Sequence, residues 1–337
     1  MIQNIPDSMK AIQLREPNKM VLTELVVPQP KSNEVLIKTK AATICTSDLH
    51  DIESNPFNIK LPAVLGHEGA GIIVACGEDV VNLSPGMRVA VHPVVPCGGC
   101  DECRRGIEHL CANIGHLGID RQGTYAEYFI QREDRVREIP DEMSFPLGSL
   151  LEPVAACLQA ISRAGNLAFK KVLVIGDGPF GNIIARLAVK AGAGKVMVSG
   201  RHPFRLSMIP GVESVTDIED NSVDVAFLAV SSVGAVRTCM NSLRKRAKLV
   251  VFSLVEEHVP IDLFKLHVSE IELIGCCNDE FKIDESLACL NDSVLNFSEI
   301  ITHEIPFEKW EEAFSLAKKR HDKVLKVSIV FNEPLNK

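Results

Sequence analysis

Aromatic side chains are scarce in this chain of 337 residues: there is one Trp, there are two Tyr, and with Phe they make up only 5%. So few stacking platforms argue against a carbohydrate- or peptide-binding surface. Basic charge is also short. Lys and Arg number 36 against 44 Asp and Glu, a net charge of −8, which speaks against nucleic acid or an anionic membrane as a partner. No uncharged apolar run approaches the ~18 residues that a membrane helix needs. Met1–Lys10 lacks a basic patch followed by an apolar core, so no signal peptide is visible and a cytoplasmic location is expected. Met9 is an alternative candidate start, and the first eight residues look peripheral to any fold. Internal repeats and low-complexity tracts are absent. At 46% hydrophobic and 24% charged the composition is that of a globular protein, and the length predicts two domains.

Cysteine is the residue in excess. There are 11, an odd number, and four fall within fifteen residues: Cys97, Cys100, Cys103 and Cys111. A disulfide framework spreads its cysteines through a small secreted chain, which this is not. Four thiolates at this spacing can surround one Zn²⁺ tetrahedrally at about 2.3 Å each, and Gly98 and Gly99 let the backbone turn tightly about it. A site of four thiolates leaves no open position, so the expected role is structural. Four free thiols in a loop, or an iron–sulfur cluster, are the alternatives.

The first third of the chain reads as β-rich. Val35–Lys40, Gly71–Ala75 and Arg88–Val91 are short apolar or alternating runs separated by turn residues, which predicts a barrel-like domain. The pattern changes near residue 153. Pro153–Ala164 reads as a helix with Pro in its first turn. Strand candidates follow at Lys171–Ile175, Lys195–Ser199, Asp224–Val230, Lys248–Leu254 and Ile271–Cys277. Helices are expected at Pro179–Ala191, Val233–Leu243 and Ile283–Asn291. The continuous apolar strands and the alternation predict a doubly wound parallel sheet. Glu304–Lys319 looks like one more amphipathic helix, with a closing strand at Val324–Val330.

Gly176-Asp177-Gly178-Pro179-Phe180-Gly181 follows the first of those strands directly and opens a helix. That context makes the otherwise weak GxGxxG pattern a candidate dinucleotide site. Gly176 permits the turn, Gly178 lets a pyrophosphate approach, and Gly181 lets helix and strand pack, with the helix N-terminus favouring the anion. A plain strand–turn–helix is the alternative. An acid about twenty residues on would bind the ribose of NAD. The sequence there is Ser199-Gly200-Arg201-His202-Pro203-Phe204-Arg205, with no acid. Gly200 leaves room, and Arg201 with Arg205 offers charge-assisted hydrogen bonds to a 2′-phosphate, so NADP is expected and NAD is the alternative.

A third set is dispersed: Cys45, then His67-Glu68 within Gly66–Gly69, then Glu152. Each has a bland explanation as core or surface. Together, mixed sulfur, nitrogen and oxygen ligands with an open position are what a catalytic zinc uses.

In this order these motifs resemble the zinc-dependent medium-chain dehydrogenases, and are most similar to the sorbitol (polyol) and threonine dehydrogenase branch. The resemblance runs from about Met9 to Val330. It implies a GroES-like β-barrel catalytic domain (residues 1–155 and 294–337), interrupted by a Rossmann coenzyme domain (residues 156–293), with the active site in the cleft between them. It implies two zinc ions per chain, with Cys45, His67 and Glu68 mapping onto the catalytic ligands and Glu152 either ligating that ion or holding its water. It also implies a proton relay through Ser47 and His50. A homodimer or homotetramer paired through Ile271–Cys277 is implied as well. Two departures stand out. Thr46 replaces the usual Gly after the first ligand, and the 205–224 stretch is too short for the usual helix, with only Thr216–Val223 left to cross.

The expected activity is hydride transfer between a secondary alcohol (polyol, sugar or cyclitol) and NADP, or reduction of the matching ketone. The alternatives are a threonine-type amino-alcohol dehydrogenase using NAD, or a non-catalytic NADPH-binding protein keeping the structural zinc. Phe57, Ile114 and the Tyr125–Phe129 region are candidate pocket walls.

Overall fold

The computed structural model describes residues 5–319 and 323–332. By its internal contacts the chain divides into two units: one runs through Pro153 and resumes at Ile283, and the other spans Val154–Lys282.

The first unit is built on a sheet of antiparallel and parallel strands. Glu34–Thr43 is its centre and is buried along almost its whole length. Both of its edges are covered, by Glu68–Cys76 and Tyr128–Arg132 in antiparallel register, and its C-terminal end also pairs with Lys326–Val330. The full order is Val136–Glu138, Arg88–Val91, Glu68–Cys76, Glu34–Thr43, Lys326–Val330, Ile301–Pro306. All three runs read as strands in the first third of the sequence lie within these elements.

Two sequence expectations need correction here. Ser8 is not peripheral: it opens the strand Ser8–Glu16, which pairs from Ser8↔Val26 onward and buries Met9, Ala11, Ile12 and Leu14. Residues 1–4 lie outside the described residues. The segment Glu304–Lys319 is not one helix. Ile301–Pro306 is a strand running parallel to Lys326–Val330, and the helix is confined to Trp310–Lys319. A residue before proline is pushed away from helical dihedrals, so Pro306 holds Ile305 extended.

Phe145–Gly148 and Leu151–Ala164 form an apolar helical stretch of 20 residues, long enough by length and composition to cross a membrane but 72% buried. That burial is the behaviour of a core helix.

The second unit is a six-stranded parallel sheet in the order Glu213–Ser214, Lys195–Ser199, Lys171–Ile175, Val223–Leu228, Leu243–Val251, Glu272–Gly275. In chain order this is 3-2-1-4-5-6, the dinucleotide-binding arrangement. The sequence showed five of the six strands. It missed Glu213–Ser214, which is two residues long and exposed, too short for any periodicity. Only a five-residue helix, Pro203–Ser207, precedes that strand. No helix lies between it and Val223–Leu228, in keeping with the shortness of the 205–224 stretch. The helix Pro179–Lys190 packs its buried face, Ile183, Ile184, Leu187 and Ala188, against this sheet.

Glu34–Thr43 and Glu68–Cys76 must approach closely at Gly71, where an added Cβ would stand 2.2 Å from the carbonyl oxygen of Lys38. Gly71→Ala is expected to destabilise the first unit by about 3 kcal/mol, read as a lowered midpoint in chemical denaturation. An unchanged midpoint would show that the sheet yields there.

Candidate metal and dinucleotide sites

Cys97, Cys100, Cys103 and Cys111 bring their four sulfurs within 4.8 Å of one another. Sγ–Sγ separations of 3.4 Å (Cys100–Cys103) and 3.6 Å (Cys100–Cys111) are far beyond a disulfide bond. They are close to the roughly 3.8 Å edge of a tetrahedron with 2.3 Å zinc–sulfur bonds. Backbone N–H groups point at the sulfurs: Gly99 donates to Cys97 Sγ at 3.4 Å and Cys97 to Cys111 Sγ at 3.3 Å. The Gly99 donor is the first reason that the Cys97 thiol is drawn down to about 6. Gly98 makes the turn with φ at +74°. This donor set fits a tetrathiolate ion.

The second constellation forms where three strand ends meet. Thr43, the last residue of the central strand, pairs with Glu68 on one side and Ser328 on the other. Cys45 follows two residues later as the N-cap of the helix Thr46–Ser54. Cys45, His67 and Glu68 place one ligand atom each within 4.8 Å of one another, and all three are buried. Glu152 stands outside this trio and is half-buried, yet its charge acts on Glu68 and on Lys326. Ser47 is half-buried in the first turn of the same helix, and His50 is exposed one turn on.

Three residues support this trio in roles that the sequence did not show. Asp48 is the first. Its carboxylate is wholly buried and accepts hydrogen bonds from Cys45 N–H at 2.9 Å and Tyr125 O–H at 2.6 Å, with His67 Nδ1 at 3.2 Å. A carboxylate on Nδ1 fixes the imidazole tautomer and leaves Nε2 as the lone-pair donor, the usual arrangement behind a metal-binding histidine. Burial alone would lower the His67 pKa, but Asp48 and the Cys45 thiol hold it well above its ordinary value. Tyr125 is the second, fully buried beneath Asp48. Lys326 is the third: its Nζ donates to Glu68 Oε1 at 2.6 Å, and both side chains are almost fully buried. Asp48 lies three residues after Cys45, a spacing a capping box could have flagged. Lys326 is 258 residues from Glu68, and no local signal links them.

Glu68 Oε2 and Glu152 Oε2 are buried with no hydrogen-bond partner. Burial pushes the Glu68 carboxyl up to about 7, opposed by Lys326 and reinforced by Glu152. The Cys45 sulfur, a His67 nitrogen and the unpartnered Glu68 oxygen lie together, a mixed sulfur, nitrogen and oxygen donor set that a divalent cation such as zinc takes up. The residues therefore fit a metal ion. His116 stands edge-on to His67 with ring centroids 5.5 Å apart, and its Nδ1 donates to Leu117 O at 2.7 Å. Burial, followed by the charge of His67, lowers its pKa to about 3.

Two pocket-wall expectations fail. Tyr125 and Phe129 are fully buried core residues, so they cannot line an open cavity. Phe57 is exposed and Ile114 half-buried.

In the second unit the glycine loop follows Lys171–Ile175. Gly176 has φ +131°, and a Cβ there would meet Ala229 O at 2.8 Å. Gly178 is the N-cap of the helix that starts at Pro179, and nothing stands within 4 Å of its Cβ direction. A Cβ on Gly181 would lie 2.0 Å from Gly176 O. Turn, open approach and close packing thus fall at the three expected glycines. Phe180 leans edge-on against Phe252 at 5.0 Å. Beyond Lys195–Ser199 the arrangement differs from expectation. The room at Gly200 is taken by the Asp177 side chain, and Arg205 is buried with its guanidinium 3.8 Å from Asp177 Oδ1. Only Arg201 is exposed. Two of the three supports for a 2′-phosphate site are thereby lost.

Residues 31–141 match the alcohol dehydrogenase GroES-like domain. The chain is 28% identical to a sorbitol dehydrogenase of Bacillus subtilis, over 98% of its own length and 100% of that protein. It is 31% identical to an L-threonine 3-dehydrogenase of Pyrococcus horikoshii, over 88% and 91%. A zinc-binding dehydrogenase of Sinorhizobium meliloti, solved with NADP bound, superposes with a TM-score of 0.90 at 25% identity, over 96% of this chain and 100% of that one. The chain belongs to the zinc-dependent medium-chain dehydrogenases, an enzyme family that joins a GroES-like domain to a Rossmann coenzyme domain.

Lys326→Met is expected to destabilise the first unit by roughly 3–5 kcal/mol, because it leaves Glu68 as an uncompensated buried charge. The double variant Lys326→Met with Glu68→Gln should regain a substantial part of that loss. Denaturation midpoints check both, and equal destabilisation in single and double variants would refute the charge explanation.

Proposed function

We propose that this enzyme transfers hydride between a secondary alcohol (a polyol, sugar or cyclitol) and a nicotinamide dinucleotide, or reduces the matching ketone. The observation that carries this is the buried trio of Cys45, His67 and Glu68 with the second carboxylate oxygen of Glu68 left unpartnered. A buried polar atom without a partner is costly, and a zinc ligand has no such cost. Cys45, His67 and Glu68 would hold the catalytic ion, with Glu152 as a fourth ligand or the holder of its water. Cys97, Cys100, Cys103 and Cys111 would hold the structural one, giving two zinc ions per chain. Reduced thiolates in both clusters favour a cytoplasmic setting.

When bound, zinc supplies Lewis-acid charge at the substrate oxygen, and the nicotinamide supplies the carbon that exchanges hydride. The chain's own residues do the rest. Asp48 orients His67 through Nδ1. Lys326 holds one oxygen of Glu68 and leaves the other available. Ser47 Oγ receives the proton leaving the substrate hydroxyl. His50, three residues on along the same helix and exposed, passes it to solvent. Gly176, Gly178, Pro179, Phe180 and Gly181 hold the dinucleotide, with its diphosphate at the helix N-terminus.

The 31% identity to a threonine dehydrogenase keeps an amino alcohol as the second substrate class. We further propose a homodimer or homotetramer paired through Ile271–Cys277. Within it Glu272–Gly275 is the edge strand of its sheet, and Leu273, Leu263 and Phe264 are exposed large apolar residues of the same unit. Such side chains favour a covered surface.

Turnover of polyols, amino alcohols and ketoses with each dinucleotide will identify the substrate class. Cys45→Ala should lower turnover by on the order of 10³-fold, the loss of several kcal/mol of charge stabilisation. Metal content should fall from two zinc per chain to one, with circular dichroism unchanged. Retained turnover in that variant would reject zinc catalysis and leave a dinucleotide-binding protein.

A further inference from the structure

The end of the second strand of a dinucleotide-binding sheet is where a carboxylate meets the adenosine ribose. In this chain that position is Gly200, and it has no side chain to offer. The structure nevertheless puts a carboxylate there. It comes from Asp177, the residue between the first two glycines of the phosphate loop. A Cβ built on Gly200 would lie 2.4 Å from Asp177 Cβ, 2.6 Å from its Cγ and 2.5 Å from its Oδ2. The Asp177 carboxyl group therefore occupies the volume into which an acid at residue 200 would project its own.

The carboxylate is held firmly. Oδ2 accepts from the backbone N–H of Arg201 at 2.6 Å and of His202 at 2.7 Å. Around Oδ1 stand His202 Nδ1 at 3.2 Å and the Arg205 guanidinium at 3.8 Å. Asp177 and Arg205 are both more than nine-tenths buried. Because Arg205 stops short of hydrogen-bond distance from Oδ1, that oxygen keeps a lone pair for a hydroxyl donor. A phosphate brought to the same place would face a fixed negative charge in partly buried surroundings, and the guanidinium that could have neutralised it already serves Asp177.

We propose that Asp177 is the residue that recognises the adenosine ribose 2′-hydroxyl, and that it makes this enzyme prefer NAD to NADP. The inference rests on the dinucleotide reading of the glycine loop given above. It couples two positions: an acid at 177 requires glycine at 200, and an acid at 200 would require a small residue at 177.

The test is calorimetric titration of the full-length protein with NAD and with NADP separately, without substrate. Wild type should bind NAD at least about tenfold more tightly than NADP, the scale of one unscreened charge contact. Asp177→Asn keeps an acceptor for the two backbone N–H groups, and so the local fold, but removes the charge. It should lose most of the preference, chiefly by tighter NADP binding. Asp177→Ala combined with Gly200→Asp should restore it, whereas Gly200→Asp alone should weaken both dinucleotides through the clash with Asp177. A wild type that prefers NADP, or an Asp177→Asn variant with an unchanged ratio, would overturn the proposal while leaving the dinucleotide site in place. Binding of neither by wild type would overturn the dinucleotide reading itself.

Discussion

A carboxylate taken wholly out of water must be compensated where it stands. Glu68 has no exposed surface, and much of the first unit's geometry can be understood from that constraint. Its compensating ammonium, Lys326, arrives on the far side of the central strand, because Thr43 pairs with Glu68 on one flank and with Ser328 on the other. The same strand then delivers Cys45 as a helix N-cap, and the helix delivers Asp48 to fix His67. Five chemically active side chains thus converge because three strand ends share one register. A one-residue slip in any of them would turn its side chain to the opposite face.

The second unit applies the same rule to a different charge. Asp177 is buried between the first two glycines of the phosphate loop, and two backbone N–H groups and Arg205 surround it. The candidate metal site thus has an unpartnered oxygen on Glu68, while the Asp177 carboxylate at the candidate dinucleotide site is held by two backbone N–H groups. Both are preorganised: the groups that would meet a ligand are already oriented by their neighbours.

Legibility in the sequence followed the range of the interaction. The tetrathiolate cluster was readable because its four sulfurs come from fifteen consecutive residues, so local chain geometry alone brings them together. The strands Lys171–Ile175 and Lys195–Ser199 appeared with the boundaries expected, since burial on both faces gives an unbroken apolar run. The strand Glu213–Ser214 did not appear, because two exposed residues carry no period. The end of the strand Ile301–Pro306 was taken into a helix over Glu304–Lys319, because its few apolar residues fit a helical spacing as well as an alternating one. At Gly200 a missing acid and two nearby arginines suggest room for a 2′-phosphate, whereas in the fold the Asp177 side chain fills that space and stands 3.8 Å from the Arg205 guanidinium.

Residue type and order alone determined the two-part architecture, the four-sulfur cluster, the glycine loop and the candidate trio of Cys45, His67 and Glu68. Those features are encoded locally or in motifs whose order is distinctive. Only the tertiary structure decided that Lys326 neutralises Glu68, that Tyr125 lies beneath Asp48 instead of lining a pocket, and that Asp177 stands where residue 200 would have placed an acid. Each of these is a contact between buried polar groups on segments far apart in the chain. Such contacts are selected by strand register and by the cost of leaving a buried charge unmatched, and neither leaves a pattern along the sequence.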